Sequence, residues 1–269
     1  MNFKKPALLF GLLTLLVGAA SGRGEFVAPY VPTTREDVDR MLELAGLGPT
    51  DYLIDLGSGD GRFVITAALR GAMGHGVELD GELVELARQR ARDAEVEDLV
   101  SFEQGDIFDA DLSMASVVTL YLMPEVNLRL RPKLLAELPA GARVLSNSFD
   151  MGEWRPDRHV TGRASGGLML WIVPAHVGGR WSVSTPEGRF QLIINQQFQS
   201  FTAEMSHGAE NLHILSTALR GDRIAILAGD GRRRYAFSGR VDETGMSGIV
   251  QVHASHGTRL ERWQAVRRP

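Results

Sequence analysis

The residues best suited to chemistry lie in one glycine-rich segment, Asp55-Leu56-Gly57-Ser58-Gly59-Asp60-Gly61, which follows a short apolar run. Its three glycines can adopt positive φ and leave the backbone bare, so that a ligand can lie directly against the chain. An acid stands on each side of the first two glycines, at Asp55 and Asp60. Two carboxylates repel a pyrophosphate and attract a cation. The segment therefore predicts a nucleotide-type site for a positively charged ligand.

Two more acids stand where the next two predicted strands end. Glu78 comes about 20 residues after the loop, where an acid can accept hydrogen bonds from both ribose hydroxyls. Asp106 is placed to accept from an adenine amino group, with the backbone of Ile107 beside it. An adenosyl group that carries a positive charge fits all of these acids, so the predicted cofactor is S-adenosylmethionine. The predicted cofactor-binding residues are Asp55, Gly57, Ser58, Gly59, Asp60, Gly61, Glu78, Leu79, Asp106 and Ile107.

The glycine spacing excludes two other kinds of nucleotide site. A dinucleotide-binding loop has the pattern G-x-G-x-x-G, whereas this loop has G-x-G-x-G. The lysine of a phosphate-binding P-loop is missing after the glycines.

The acids can meet only if a parallel sheet brings their strands together, and the apolar pattern predicts such a sheet. Apolar runs alternate with helical periodicity, which indicates right-handed βαβ units. A pair of runs at 159–162 and 168–173 can add a closing hairpin. The fold class is therefore α/β, with a Rossmann-like sheet. Its five earlier predicted strands are 52–56, 74–79, 99–102, 116–122 and 142–147.

The pattern changes after residue 178. Eight short strand-like runs are separated by turn residues, without helical periodicity, which predicts a small antiparallel all-β, barrel-like domain. We interpret Arg232-Arg233-Arg234 as a solvated strand edge, because charge on an edge opposes aggregation. The predicted organisation is a targeting segment at 1–21, a cofactor-binding domain at 22–177 and the β domain at 178–269.

The first 21 residues have the pattern of a targeting segment. Lys4 and Lys5 precede an apolar run that ends in small residues, which is typical of a secretory signal peptide, and an uncleaved membrane anchor is the alternative. We therefore expect a membrane-associated or exported, periplasmic protein, although a cytoplasm-facing location stays open.

Composition narrows the possible partners. The net charge of −4 gives no overall basic field for nucleic acid. The absence of cysteine excludes disulfides, thiolate nucleophiles and cysteine-ligated zinc. The seven histidines form no helical metal pair, so no metal is predicted.

Residues 26–173 resemble a small family of class I protein-lysine methyltransferases, which includes the mitochondrial enzymes that modify the ATP synthase c subunit and the adenine nucleotide translocase. The resemblance implies a seven-stranded sheet with a reversed last strand, and methyl transfer to a lysine amine. The C-terminal β-rich part has no counterpart in it. The matching segments are 27–33, with Pro-Tyr-Val-Pro, 55–62, 76–78, 121–124, with Tyr-Leu-Met-Pro, and 141–146.

The acceptor side is predicted around the end of the fourth strand. Tyr121 would line the acceptor channel and orient the incoming amine as the catalytic residue, or it would only pack against the donor. An apolar channel would ease loss of the lysine proton, which requires about 4–5 kcal/mol at neutral pH. The other residues predicted to form the channel or a lid are Tyr30, Pro32, Thr33, Leu122, Pro124 and Trp154, with a rigid linker as the alternative for the first three and a core position for Trp154.

Two other functions remain open from the sequence. The acceptor could be a small molecule, with the β domain as its lid or receptor. The chain could also be a non-catalytic exported protein that binds a lipid or a partner through the β domain.

Overall fold

The computed structural model describes residues 32–161 and 166–268, which form an α/β unit followed by a β-barrel. The predicted targeting segment and Tyr30 lie outside the described residues. No helix within the described ranges is long and apolar enough to span a membrane.

The α/β unit alternates strands and helices, as the apolar pattern predicts. Thr34 caps the first helix by accepting a hydrogen bond from the Asp37 N–H (3.2 Å), and Gly46 ends it in the left-handed conformation. The elements are α1 (Arg35–Ala45), β1 (Tyr52–Leu56), α2 (Arg62–Leu69), β2 (Met73–Glu78), α3 (Gly81–Asp93), β3 (Val100–Gln104), β4 (Val117–Leu120), α4 (Pro124–Glu137), β5 (Arg143–Asn147), β6 (Arg158–Val160) and β7 (Leu168–Ile172).

Seven strands form one mixed sheet in the order β3-β2-β1-β4-β5-β7-β6. The first five are parallel, and β7 runs antiparallel to both β5 and β6. The predicted fold class and the reversed strand are thus confirmed. Because β1 to β4 are neighbours and parallel, the residues that follow them meet at one carboxyl edge of the sheet.

Both faces of this sheet are covered. Buried side chains of α1, α2 and α3 pack on one face, and those of α4 and the segment around Trp154 pack on the other. The strands β1 and β4 are therefore almost entirely buried, as their continuous apolar sequences predict.

The second unit is a closed antiparallel barrel of eight strands, each paired with its neighbour along the chain, and β15 returns to pair with β8. This confirms the barrel-like prediction. Its interior is filled by apolar and aromatic side chains. The strands are β8 (Gly179–Thr185), β9 (Gly188–Gln197), β10 (Ser200–His207), β11 (Glu210–Arg220), β12 (Arg223–Gly229), β13 (Arg234–Asp242), β14 (Gly245–Ala254) and β15 (Gly257–Arg267).

The barrel contacts the α/β unit through the turn between β9 and β10. The Phe198 ring stacks on Trp154 with ring centroids 6.3 Å apart, and the Arg131 guanidinium lies 5.4 Å from the Phe198 centroid. A second contact is a hydrogen bond of 2.9 Å from the Ala175 N–H to the Gly221 carbonyl.

Two predictions are corrected by this arrangement. Trp154 does not line an acceptor entrance: it is fully buried between Trp171 and Phe198, because its large apolar ring fills the space between the two units. The arginine triplet is not on a strand edge, because the barrel is closed and has none. Arg232 and Arg233 lie in the loop between β12 and β13, and Arg234 begins β13.

Candidate active site

The glycine loop turns back on the end of the second strand. The N–H groups of Gly57 and Ser58 both donate to the Val77 carbonyl, at 2.9 and 3.0 Å. The three loop glycines have positive φ values of 81°, 51° and 78°, which only glycine adopts without strain. A Cβ on Gly57 would lie 2.9 Å from the Leu122 side chain, so the predicted channel residue Leu122 lies close to this bare backbone.

Asp55 is the buried acid at the centre of the site. It is 3% exposed and lies directly opposite Thr119 on the neighbouring strand, whose hydroxyl donates to its carboxylate at 2.6 Å. The pKa of Asp55 is raised to about 7, mainly by burial and also by the charges of Glu78 and Asp60, against the opposing effect of the hydrogen bond from Thr119. A cationic ligand would favour the ionised form of this carboxyl group.

Glu78 lies against the same loop. Its carboxylate accepts hydrogen bonds from the N–H groups of Gly59 (2.8 Å), Leu79 (2.8 Å) and Asp80 (3.1 Å). These backbone donors fix the carboxylate beside the glycine loop at the end of β2. Two hydroxyl donors of a ribose could share or replace these contacts.

Asp60 has a different set of partners from the one predicted. Its nearly inaccessible carboxylate forms two hydrogen bonds with Arg62 (2.8 and 2.6 Å) and an ion pair with Arg90 on α3. Two guanidinium groups thus neutralise the Asp60 carboxylate, which the sequence predicts to bind the cationic ligand. We infer that Asp60 holds the loop to α3, and its direct contact with a cofactor stays a prediction.

Asp106 lies at the same edge of the sheet but is exposed. Its carboxylate accepts from the Phe108 N–H at 2.9 Å, and the preceding Gly105 N–H donates to the Glu78 carbonyl at 2.9 Å. The backbone thus joins the Asp106–Ile107 segment to the end of β2. Asp106 and Ile107 thus lie at the carboxyl edge of the sheet, and their contact with adenine stays a prediction.

On the acceptor side, Tyr121 directly follows β4 and is half-buried. Its ring stacks on Phe149 with centroids 6.4 Å apart and an angle of 22° between the planes. Pro124 begins α4 just beyond it. Phe149 was not among the predicted residues, although it follows the fifth strand and the loops after strands carry most functional residues in such folds. The residue after Tyr121 is Leu122, whose side chain lies by Gly57, so the two rings form an aromatic wall at the edge of the sheet that carries the glycine loop.

A buried polar cluster supports this wall. The Asn127 amide donates to the Ser146 hydroxyl (3.3 Å) and to the Phe149 carbonyl (3.2 Å), and the Ser146 hydroxyl also donates to that carbonyl (2.6 Å). Ser148, next to Phe149, has a positive φ of 70°, which is unfavourable for a residue with a side chain. The hydrogen bonds hold the turn in this strained conformation and thereby fix the Phe149 ring.

The predicted lid is described only from Pro32 onward, and Pro32 is exposed. Thr33 is buried: its carbonyl accepts from Arg62, and its hydroxyl accepts from the Asn147 amide at 3.4 Å. Thr33 therefore joins the segment before α1 to the glycine loop and to the end of β5. This position at the site is compatible with a cover over the cofactor.

The acids at this edge of the sheet suit S-adenosylmethionine. Asp55, which is buried and has a raised pKa, can accept from an ammonium group. Glu78, held beside the bare glycine backbone, can accept from a ribose, and Asp106, after the next strand, can accept from an amino group. Within the described ranges, no three His, Asp or Glu side chains are grouped so that they could hold a metal ion.

Three comparisons with known proteins bear on this site. A family model described as the ANTKMT methyltransferase domain matches residues 55–158. The protein-lysine N-methyltransferase of Saccharolobus islandicus (strain REY15A) is 37% identical over 155 residues, covering 55% of this chain and 95% of the archaeal protein. The adenine nucleotide translocase lysine N-methyltransferase of Mus musculus is 38% identical over 154 residues, covering 56% of this chain and 65% of the mouse protein.

A solved structure adds a third relative. The crystal structure of an RNA methyltransferase from Salinibacter ruber, in complex with S-adenosyl-L-homocysteine, is similar with a TM-score of 0.53 and 53% sequence identity. The similarity covers 55% of this chain and 96% of that chain. All three proteins therefore match little more than half of the present chain.

Proposed function

The chain belongs to the family of the ANTKMT methyltransferase domain and is an S-adenosylmethionine-dependent methyltransferase, and we propose that its acceptor is the ε-amino group of a protein lysine. The observation that carries this proposal is the aromatic wall of Tyr121 and Phe149 beside the glycine loop. The archaeal and mouse relatives are both named as lysine methyltransferases, which supports the choice of a lysine.

When bound, S-adenosylmethionine would supply a methyl group on a positively charged sulfur, so that an in-line nucleophile could bond to the methyl carbon while the carbon–sulfur bond breaks and the uncharged thioether leaves. Asp55 and Glu78 would hold the ammonium and ribose ends of the donor, and the bare backbone of the glycine loop would lie against it. These contacts would fix the methyl group toward the acceptor side. The chain thus contributes mainly position and exclusion of water.

A lysine must lose its proton before it can attack. An environment of aromatic and aliphatic side chains disfavours the ammonium form and lowers the pKa of the lysine, so a dedicated base is not required. Tyr121, Phe149 and Leu122 supply such an environment. The Tyr121 hydroxyl would orient the amine.

The acceptor class can be tested by incubating the full chain with labelled S-adenosylmethionine and a cell lysate. We expect label in protein bands that survives nuclease and is lost after protease. Acid hydrolysis of the labelled protein should release methylated lysine. Label in small molecules alone would support the small-molecule alternative, and an absence of donor binding at millimolar concentration would leave only a non-catalytic binding protein.

One observation favours a second acceptor class. The Salinibacter ruber relative, at 53% identity, is named as an RNA methyltransferase. The net charge of −4 of the present chain provides no general attraction for RNA. In the lysate assay, label that is lost after nuclease and survives protease would replace lysine by RNA as the acceptor.

We further propose that residues 1–21 direct the protein to or across a membrane, on the basis of their charged start and apolar run. Fractionating cells and sequencing the N-terminus of the mature protein tests this. A soluble cytoplasmic protein that retains residues 1–21 would contradict it.

A further inference from the structure

The end of the barrel that lies away from the α/β unit has a hollow in its outer surface of about 500 Å³. Strand register explains its form. His213 lies opposite Gly229, Gly229 opposite Arg234, and Arg234 opposite His253, so these four residues form one row across β11 to β14. Side chains that are directly opposite share a face of the sheet. Because Gly229 has no side chain, the row has a gap between His213 and Arg234.

The arginines around the hollow differ in their ion pairs. Arg233 is held by Glu187 at 3.3 Å, and Glu187 also pairs with Arg259. By contrast, no carboxylate of the residues that the structure describes forms an ion pair with the guanidinium of Arg232 or Arg234, although both side chains are exposed. Two uncompensated positive charges therefore line the hollow.

The acid of the same loop, Asp230, forms no ion pair with either guanidinium among the described residues. The Asp230 carboxylate accepts from the N–H groups of Arg232 (2.8 Å) and Arg233 (2.7 Å), and it thereby fixes the loop between β12 and β13. The orientation of its carboxylate toward the backbone leaves the Arg232 side chain free to reach a ligand. His213 and His253 add ring nitrogens on either side, of which Nδ1 of His253 is paired with the Thr258 hydroxyl at 2.8 Å.

The hollow also has an apolar wall. The pairing of β11 with β12 shifts between Ile214 and Ser216, which leaves Leu215 as an extra residue, 54% exposed, beside the hollow. Bulges of this kind redirect one side chain and are frequent next to functional sites. Ala254 lies on the opposite side. The volume exceeds what a single phosphate needs, so the wall leaves room for an organic group.

We propose that this hollow binds a phosphate group carried on an organic body, with Arg232 and Arg234 on the phosphate and Leu215 against the body. Arginine is suited to phosphate because its planar group donates two parallel hydrogen bonds. The site is on the barrel and is separate from the methyl-transfer site, so it does not depend on the proposed function. It gives the β-barrel a binding role of its own.

The test titrates the full chain with phenyl phosphate, inorganic phosphate and phenol. Binding is followed through the NMR signals of the histidine rings. We expect saturable binding of phenyl phosphate, weaker binding of inorganic phosphate and none of phenol, with shifts confined to His213 and His253. The variant R232Q/R234Q should bind phenyl phosphate about tenfold more weakly or worse, because both charged donors are lost.

A matched control removes the same charge elsewhere on the barrel. Arg189 and Arg262 are exposed and lie outside the hollow, so R189Q/R262Q should leave the affinity for phenyl phosphate within about twofold. Circular dichroism and donor binding verify that both variants fold. Equal weakening in the two double variants, or no saturable binding at millimolar phenyl phosphate, would overturn the proposal.

Vesicles distinguish the two sources of such a phosphate. A lipid headgroup is the ligand if the protein sediments with vesicles that contain phosphatidic acid, but not with vesicles of pure phosphatidylcholine. The variant R232Q/R234Q should then lose this sedimentation. Phenyl phosphate binding without sedimentation would assign a soluble organic phosphate. Either result supports the site, and failure of both removes it.

Discussion

At the scale of single residues, the site depends on an acid kept out of water. Asp55 is buried opposite Thr119, and burial raises its pKa to about 7. The free carboxyl group is therefore partly protonated at neutral pH, whereas the cation of a bound donor requires the ionised form. Donor binding and proton release must be linked.

The first prediction concerns this linkage. The affinity for S-adenosylmethionine should rise about tenfold or more between pH 5 and pH 7, because Asp55 ionises over that range. In Asp55→Asn the affinity should be weaker and nearly independent of pH over the same interval. Calorimetric titration at several pH values measures both. Asp157→Asn, which removes another carboxyl group of raised pKa away from the site, is the control and should keep the pH dependence.

The same carboxyl group affects stability in the absence of a ligand, with the opposite sign. Its pKa is higher in the folded chain than the ordinary value of 3.8, so the folded state holds the proton more tightly and loses stability as the pH rises from about 4 to about 7. Asp55→Asn should therefore raise the free energy of unfolding at pH 8 by about 1–3 kcal/mol. Denaturant unfolding at pH 4 and pH 8 tests this, and a destabilised variant at pH 8 would contradict it.

A third prediction separates backbone strain from site geometry. Gly57 and Gly46 both have positive φ, but a Cβ on Gly57 would approach Leu122 whereas one on Gly46 would meet open space. Each Gly→Ala change should lower the free energy of unfolding by about 1 kcal/mol. Only Gly57→Ala should also weaken donor binding, by about tenfold. Equal donor affinities in the two variants would disprove the role of the bare backbone.

A fourth prediction concerns the acceptor wall. Phe149→Ala should raise the KM for the acceptor by about tenfold while the donor affinity stays unchanged, because the ring stacks on Tyr121 at the proposed acceptor side. Steady-state kinetics with a protein acceptor and calorimetry with the donor give the two values. A loss of donor affinity instead would show that Phe149 belongs to the cofactor side.

The sequence identified the residues at the carboxyl edge better than it identified their partners. Asp55 and Glu78 could be recognised because each ends an apolar run. The neutralisation of Asp60 by Arg62 and Arg90 could not, because Arg90 comes 30 residues later and only the packing of α3 brings it to the loop. Phe149 was missed for a similar reason, since its contact with Tyr121 joins two different loops.

At the scale of elements, local patterns predicted most helices and strands. The helix α2 begins directly after the glycine loop and ends just before Gly71, as such breaks in a helical pattern predict. The helix α4 continues through Pro132, although proline usually ends or kinks a helix. Phe198 lies in a turn, although an apolar aromatic residue favours strands. Tertiary contact with Trp154 outweighs that preference.

The turn at Phe198 leads to a fifth prediction. Phe198 has a positive φ of 53°, which is unfavourable by about 1 kcal/mol for such a residue. The contacts of its ring with Trp154 and Arg131 must therefore stabilise the fold by more than this strain destabilises it. Phe198→Ala should lower the free energy of unfolding by about 1–3 kcal/mol and separate the melting of the two units in calorimetry.

Its control is Gln199→Ala, which removes only the hydrogen bond of 2.7 Å from the Gln199 amide to the Arg155 carbonyl. That variant should keep a single transition. If Phe198→Gly raised the free energy of unfolding, the ring contacts would stabilise the fold by less than the strained backbone destabilises it.

At the scale of the whole molecule, the two units differ in how far apart in the chain their contacts are. The α/β sheet pairs β1 with β2 and also with β4, which follows only after α2, β2, α3 and β3, whereas the barrel pairs strands that follow one another along the chain and closes through the pairing of β15 with β8. The alternating pattern of single strands predicted a barrel-like unit. The closing pair and the hollow could not be predicted, because both depend on register between strands that the sequence does not align.

That closing pair sets an order for folding during synthesis. The register joins Trp181 to Arg267, so the first strand of the barrel emerges from the ribosome long before its last partner exists. Until then β8 can pair with β9 but lacks its second neighbour, and an exposed unpaired strand edge is a site for aggregation. The nascent barrel must wait for β15, while the α/β unit upstream can already be folded and can offer Trp154 as a surface on which the turn at Phe198 docks.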